Sequence, residues 1–199
     1  MQLFYTINSP YARRARLAVR ESGLADRVEE VEIIREENND LLFEHGPGGK
    51  VPGLLTDSGT YLCESLIIAR YLDEVSGGKL YPADPAAREF ALHVEGVASL
   101  LMDSLYVRAH ENRRDPSERS PALIENETAR AARCYDALAG LVGRFDGQVS
   151  MDKATAVASL GYADWRHPGD DWRGGRSPLA AWFEAMMKRP AMAETKPIF

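Results

Sequence analysis

The stretch from Gly49 to Leu72, GKVPGLLTDSGTYLCESLIIARYL, constrains this chain more than any other. Two apolar runs flank Asp57-Ser58-Gly59, and short runs joined by such a turn form a β-hairpin. Directly after them Ile67, Ile68, Tyr71 and Leu72 recur with a helical period, which predicts a helix over Leu66–Leu72. Three polar residues interrupt this pattern. Pro52 removes a backbone donor where a strand should start, so it belongs at an edge or a bend. Were the Val51–Pro52 bond cis, the Val51 N–H and C=O would turn outward, free to pair with an extended peptide. Glu64-Ser65 sits where strand gives way to helix. The free N–H groups and dipole there welcome a carboxylate, with Ser65 as an added donor and Glu64 as an acceptor for an ammonium. The same pair also reads as a serine capping its own helix beside a solvated glutamate.

The N-terminus predicts a strand over Gln2–Tyr5 and then a helix over Pro10–Ser22, with Ser9 as N-cap, Pro10 in the first turn and Gly23 as the stop. In thioredoxin-like folds this junction carries C-P-Y-C. Here Ser9 and Ala12 occupy the two cysteine positions, which excludes dithiol chemistry at this turn. A hydroxyl at a helix N-terminus can still donate to a thiolate that a ligand brings. A strand over Val28–Ile33, a short helix over Asp40–His45 and a Gly46–Gly49 break lead into the hairpin, whose helix extends to Val75. Gly and Pro then concentrate in 76–85, a linker. Helices are expected at Ala86–His110, Ala122–Leu141, Lys153–Arg166 and Leu179–Lys188. The resulting organisation is an α/β thioredoxin-like domain over residues 1–75, the linker, and an all-α helical-bundle domain over 86–199.

A formal charge of −6 argues against nucleic acid as the main partner. Arg13, Arg14, Arg16 and Arg20 cluster locally but among acids, and read as a solvated face. Cys63 and Cys134 have neither metal nor C-x-x-C spacing and read as reduced core positions. His45, His93, His110 and His167 lack mutual ligand spacing, so no metal is expected. With no leader segment and no apolar run approaching a membrane span, a soluble cytoplasmic protein is expected, with no membrane partner.

S-P-Y-A-R-R-A-R, G-K-V-P-G-L and E-S-L-I-I-A-R-Y-L, in that order and spacing, resemble the glutathione S-transferases, above all soluble bacterial members with serine or cysteine at the catalytic turn. Leu160–Arg166 and the Trp182…Arg189-Pro190 stretch are similar to segments of the same proteins. The resemblance implies a glutathione S-transferase with glutathione as co-substrate, no metal, a hydrophobic electrophile as second partner, and a homodimer built on the Leu66–Val75 and Ala86–His110 helices. It implies that Ser9 donates to the glutathione sulfur and that Val51, presented by cis Pro52, pairs with the cysteinyl backbone. Glu64 and Ser65 would hold the γ-glutamyl ammonium and carboxylate. Lys50 is either a partner for the glycyl carboxylate or a solvated loop lysine. Tyr11 is a candidate for the electrophile pocket and equally for packing; a Met102, Tyr106, His110 stripe, of a kind usually found in a core, is a second candidate for that pocket. Tyr5, a rival for the sulfur, reads as core or interface. A non-catalytic interaction module and a glutathione-dependent peroxidase or isomerase are the alternatives.

The chain departs from the family pattern at Gly46-Pro47-Gly48-Gly49, where N-P-x-G is usual, and at Lys153, where an Asp normally completes a capping box with Ser150. The second change predicts a helix start weaker by about 0.5–1 kcal/mol, to be relieved by Lys153→Asp.

Overall fold

The computed structural model describes residues 1–197; residues 198 and 199, the end of the expected helical span, lie outside it. Strand β1 (Gln2–Tyr5) leads through helix α1 (Pro10–Glu21) to β2 (Glu29–Glu32). Helix α2 (Asp40–His45), β3 (Gly53–Leu55), β4 (Tyr61–Cys63) and α3 (Ser65–Val75) complete the first half. One four-stranded sheet runs in the order β2-β1-β3-β4. The β1–β2 pair is parallel, with Leu3 opposite Glu30, because α1 returns the chain to the same end of the sheet. Both β3 pairings are antiparallel, with Leu54 opposite Leu3 on one side and Leu62 on the other. This is the thioredoxin-like arrangement expected from the β-α-β and β-β-α order.

Successive residues of a strand face opposite sides, and β1 uses both. Leu3 joins the main core, while Phe4 packs with Ile33 and Leu42 in a smaller cluster under α2. The rest of the described chain is helical: α4 (Pro85–Glu111), α5 (Pro121–Leu141), α6 (Met151–Arg166), α7 (Ser177–Met186) and α8 (Pro190–Glu194). Helices α1, α4 and α5 each begin on a capping side chain followed by proline. Ser9, Asp84 and Ser120 accept from the N–H groups of Ala12, Ala87 and Leu123. Such a pair marks a helix start one residue before the expected Ala86 and Ala122. Pro190 opens α8 from the first turn as well, although Arg189 ahead of it makes no side-chain cap bond. Helix α4 packs against α5 and α6, and α1 against α3 and α6, so a continuous core runs from Leu3 to Met192 across both halves. Each fully buried leucine in it, such as Leu101 or Leu105, contributes about 1.5–3 kcal/mol over leaving it in water. By length and composition α4 could cross a membrane; here Val94, Ala98, Leu101 and Leu105 on it are buried in the core.

Three expectations are corrected. Arg13, Arg14 and Arg16 are no solvated face: all three are buried, because α1 is covered by the sheet, α3, α6 and α8. Arg16 pairs with Glu30 at 2.9 Å and lies over the Tyr5 ring, while Arg13 donates to the Met192 carbonyl at 3.0 Å. One Arg13 nitrogen, Nη1, is buried without a partner, and desolvation pushes the group down to about 10. That guanidinium rests against Gly161, where any Cβ would collide with it. Second, Cys134 is buried but Cys63 is exposed. Third, the cap of α6 is not simply weakened. Ser150 makes no cap bond to the helix backbone. Lys153 instead folds back, donating to the Asp146 carboxylate, to the Gln148 carbonyl at 2.8 Å and to the Ser150 hydroxyl at 3.4 Å. A lysine that closes the preceding loop is not improved by an aspartate.

Candidate functional site

A cleft of about 670 Å³ lies between the C-terminal ends of the sheet and the helices that follow. One wall is backbone and turn. Ser9 lines it, half-buried, with its Oγ accepting from Ala12 N–H at 3.1 Å; that bond uses a lone pair and leaves the hydroxyl proton free for a ligand. Lys50, Val51 and Pro52 line the same wall, and the Val51–Pro52 bond is cis. Among the hydrogen bonds of the described residues none uses the Val51 N–H or C=O.

Glu64 and Ser65 close this wall at the start of α3. Glu64 has φ 69°, a conformation rare for a residue with a side chain and one that clusters at ligand sites. It caps nothing, and its carboxylate is exposed at the cleft. Ser65 does not cap its helix with its side chain either. Its Oγ is 2 % exposed and accepts two bonds from Arg14, from Nη2 at 2.7 Å and from Nε at 3.2 Å. With both lone pairs engaged, the hydroxyl can only donate outward. Arg14 also donates to Ser99 Oγ at 2.7 Å, and among the described residues no carboxylate lies within ion-pairing distance of it. It sets a buried positive charge directly behind Ser65, where a ligand carboxylate would dock. Arg14 was legible only as a basic residue; nothing in its spacing points to Ser65.

The opposite wall is made of side chains. Tyr11 donates to Asp103 at 2.6 Å, and burial followed by that carboxylate raises its phenol far above the usual range. Its proton is therefore committed, and Tyr11 lines the cleft without being a donor to sulfur. Tyr5 lies under Arg16 and does not line the cleft. Tyr106 meets the Tyr11 ring edge-on at 5.3 Å and stacks on His110 at 3.9 Å, and both line the cleft. Met102 does not. It is fully buried in the core, one turn earlier on α4, where that helix packs against α5 and α6. Asp103, Arg113, Tyr162 and Arg166 also line this wall and were missed by sequence reasoning. Among the described residues no group of three or more His, Cys, Asp or Glu is placed to hold a metal ion.

A profile described as "Glutathione S-transferase, N-terminal domain" matches residues 8–75, the segment that builds the first wall. Residues 8–75 thus match the glutathione S-transferase N-terminal domain family. The chain is 26% identical to an uncharacterized GST-like protein, YibF, of Escherichia coli K12, over 99% of this chain and 98% of that one. A glutathione transferase family member from Pseudomonas fluorescens Pf-5, solved with bound glutathione, superposes with a TM-score of 0.91 at 28% identity, covering 100% of this chain and 99% of that one. A second structure from that organism, with S-(propanoic acid)-glutathione bound, gives a TM-score of 0.88 at 28% identity over the whole of both chains.

Proposed function

We propose that this protein is a glutathione transferase that binds glutathione along the first wall and directs its thiolate at a small electrophile held by the second. One observation carries the reading: Ser9, Val51 next to cis Pro52, and Glu64-Ser65 all face one cleft with unspent hydrogen-bonding capacity. Ser9 donates to the sulfur. Val51 pairs with the cysteinyl backbone, Glu64 takes the γ-glutamyl ammonium, and Ser65, backed by Arg14, takes its carboxylate. Lys50 is placed for the glycyl carboxylate. Lowering a thiol pKa by one unit needs only about 1.4 kcal/mol, within the range of one charge-assisted hydrogen bond aided by the α1 dipole. The thiol proton leaves to water, a carbon–sulfur bond forms, and in a displacement the leaving group departs with its electron pair. The glutathione and glutathione conjugate held by similar proteins support this reading.

We further propose a cytoplasmic homodimer. Leu66, Ile67, Leu92 and Leu100 are exposed apolar side chains on α3 and α4, and the exposed thiol of Cys63 suits a reducing compartment. Sedimentation of wild type against Ile67→Glu tests the dimer, which is refuted if both run as monomers. The activity is tested by calorimetric titration with glutathione and by rates of wild type and Ser9→Ala over an electrophile panel. Heat on titration and a slower variant are expected. Absence of heat and of thermal shift at millimolar glutathione would leave an interaction scaffold instead, and equal rates would remove Ser9 from its role.

A further inference from the structure

We propose, building on the transferase reading, that the second substrate is an anion: an electrophile with a carboxylate, held by Arg113 and Arg166 on the helical wall of the cleft. Neither guanidinium has a carboxylate within ion-pairing distance among the described residues. Their neighbours do: Arg108 binds Asp170 at 2.6 Å, Arg114 reaches Glu118 at 3.6 Å, and Arg173 bridges Asp164 and Glu184. In a chain with six more acidic than basic side chains, two unpaired arginines meeting on one cavity wall stand out.

Their local bonds hold them in place without neutralising them. Arg113 Nε donates to the Ala109 carbonyl at 3.0 Å. The Tyr106 carbonyl can only accept, so His110 donates to it from Nδ1 at 2.9 Å, and His110 Nε2 then accepts from Arg113 Nη2 at 3.2 Å. Arg166 lies flat over the Trp165 ring at 3.5 Å, and its Nε is buried without a hydrogen-bond partner. The buried Tyr162 lines the same wall: burial pushes its phenol up, while the charges of Arg166 and then Arg113 pull it down. Both cations are therefore felt at one point. Two acids face the same cleft. Asp103 is engaged by Tyr11, and Glu64 stands on the opposite wall, where the proposed function assigns it to an ammonium. An incoming carboxylate thus finds planar donors suited to it that no internal acid has already paired. A purely hydrophobic electrophile, as the family resemblance implies, would leave both charges facing apolar surface.

The test uses glutathione conjugates that differ only in their final group. S-(Carboxymethyl)- and S-(4-carboxybenzyl)glutathione are titrated against the corresponding carboxamides, S-(carbamoylmethyl)- and S-(4-carbamoylbenzyl)glutathione. The full-length protein is compared with Arg113→Gln and with Arg113→Gln/Arg166→Gln. On at least one arm the carboxylate is expected to bind about tenfold tighter than its amide, and the double variant to close the gap to within about twofold. Affinity for glutathione itself should stay unchanged. Equal binding within both pairs on wild type overturns the proposal, as does a gap that survives the double variant. Should that variant melt early, Arg113→Gln, altering an exposed side chain, carries the same comparison. Failure of wild type to bind glutathione would bring down the transferase reading first, a result distinct from either of these.

Discussion

The two walls of the cleft solve the same task by different means. The first is built from backbone: a cis bond, a positive φ at Glu64, two helix starts and a serine on each. The second is built from long side chains, Tyr11, Tyr106, His110, Arg113, Tyr162 and Arg166, drawn from three helices far apart in sequence and from the turn that follows α4. On the proposed function, the backbone wall reads the constant parts of glutathione, its peptide groups and charged ends. Side-chain recognition can be altered one residue at a time without disturbing the fold. A common co-substrate and a changeable acceptor therefore map onto a rigid wall and a variable one.

The sharpest way to break this division is at Ser9. Ser9→Ala should lower kcat/KM for any acceptor by about 10–100-fold, while glutathione affinity falls much less, because only the sulfur loses a donor. A uniform loss of binding would mean that Ser9 shapes the wall and does not act on the thiol. Next comes the footing of the second wall. Lys153→Asp removes the latch at the start of α6 and sets a carboxylate beside Asp146 and Asp152. Thermal melts should show a loss of about 2 kcal/mol, or roughly 4–8 °C, opposite in sign to the gain expected from sequence. An unchanged or higher melting temperature would restore the capping-box reading.

Arg14→Met tests whether the first wall is backbone alone. Losing the charge behind Ser65 should weaken glutathione binding about tenfold, measurable by calorimetry, with the acceptor preference retained. A variant that binds glutathione as wild type does would reduce Arg14 to packing. The smallest effect lies at the end of α6, where His167 accepts from Arg108 and donates to the Leu105 carbonyl. Burial, and then the Arg108 charge, hold its pKa below the usual 6.5, against the pull of that carbonyl. The unfolded chain therefore takes up this proton first as pH falls. Stability should drop below about pH 6.5, by less than about 1 kcal/mol, and His167→Gln should flatten that dependence in melts between pH 7 and pH 5.

The contrast between walls also explains what the sequence disclosed. The hairpin, the α1 start and the Glu64-Ser65 junction depend on Pro, Gly and Ser at fixed local offsets, so each was visible in a few residues; the cis bond at Pro52 came only from the family resemblance. Even there the side-chain partner of Ser65 was hidden: Arg14 is 51 positions away, and its burial results from tertiary packing. On the second wall only Tyr11, next to the Ser9 turn, and Tyr106 and His110, by helical spacing, were found. Spacing alone extended that stripe to Met102 because it cannot tell where along a helix the core ends and the cleft begins. Asp103, Arg113, Tyr162 and Arg166 carry no local signal. Their role exists only once α1, α4 and α6 have met.

Arg13 has a consequence of a different kind. One turn after Ser9, it reaches across to the Met192 carbonyl and the Thr195 hydroxyl, tying the Ser9 turn to the last helix among the described residues. Fraying α8, by cleavage ahead of it or a bulky fusion behind it, would strand this cation in an oily slot. The tail of the molecule is in effect a tie rod for its chemistry, and proteins differing only at that end should not be assumed equivalent at the other.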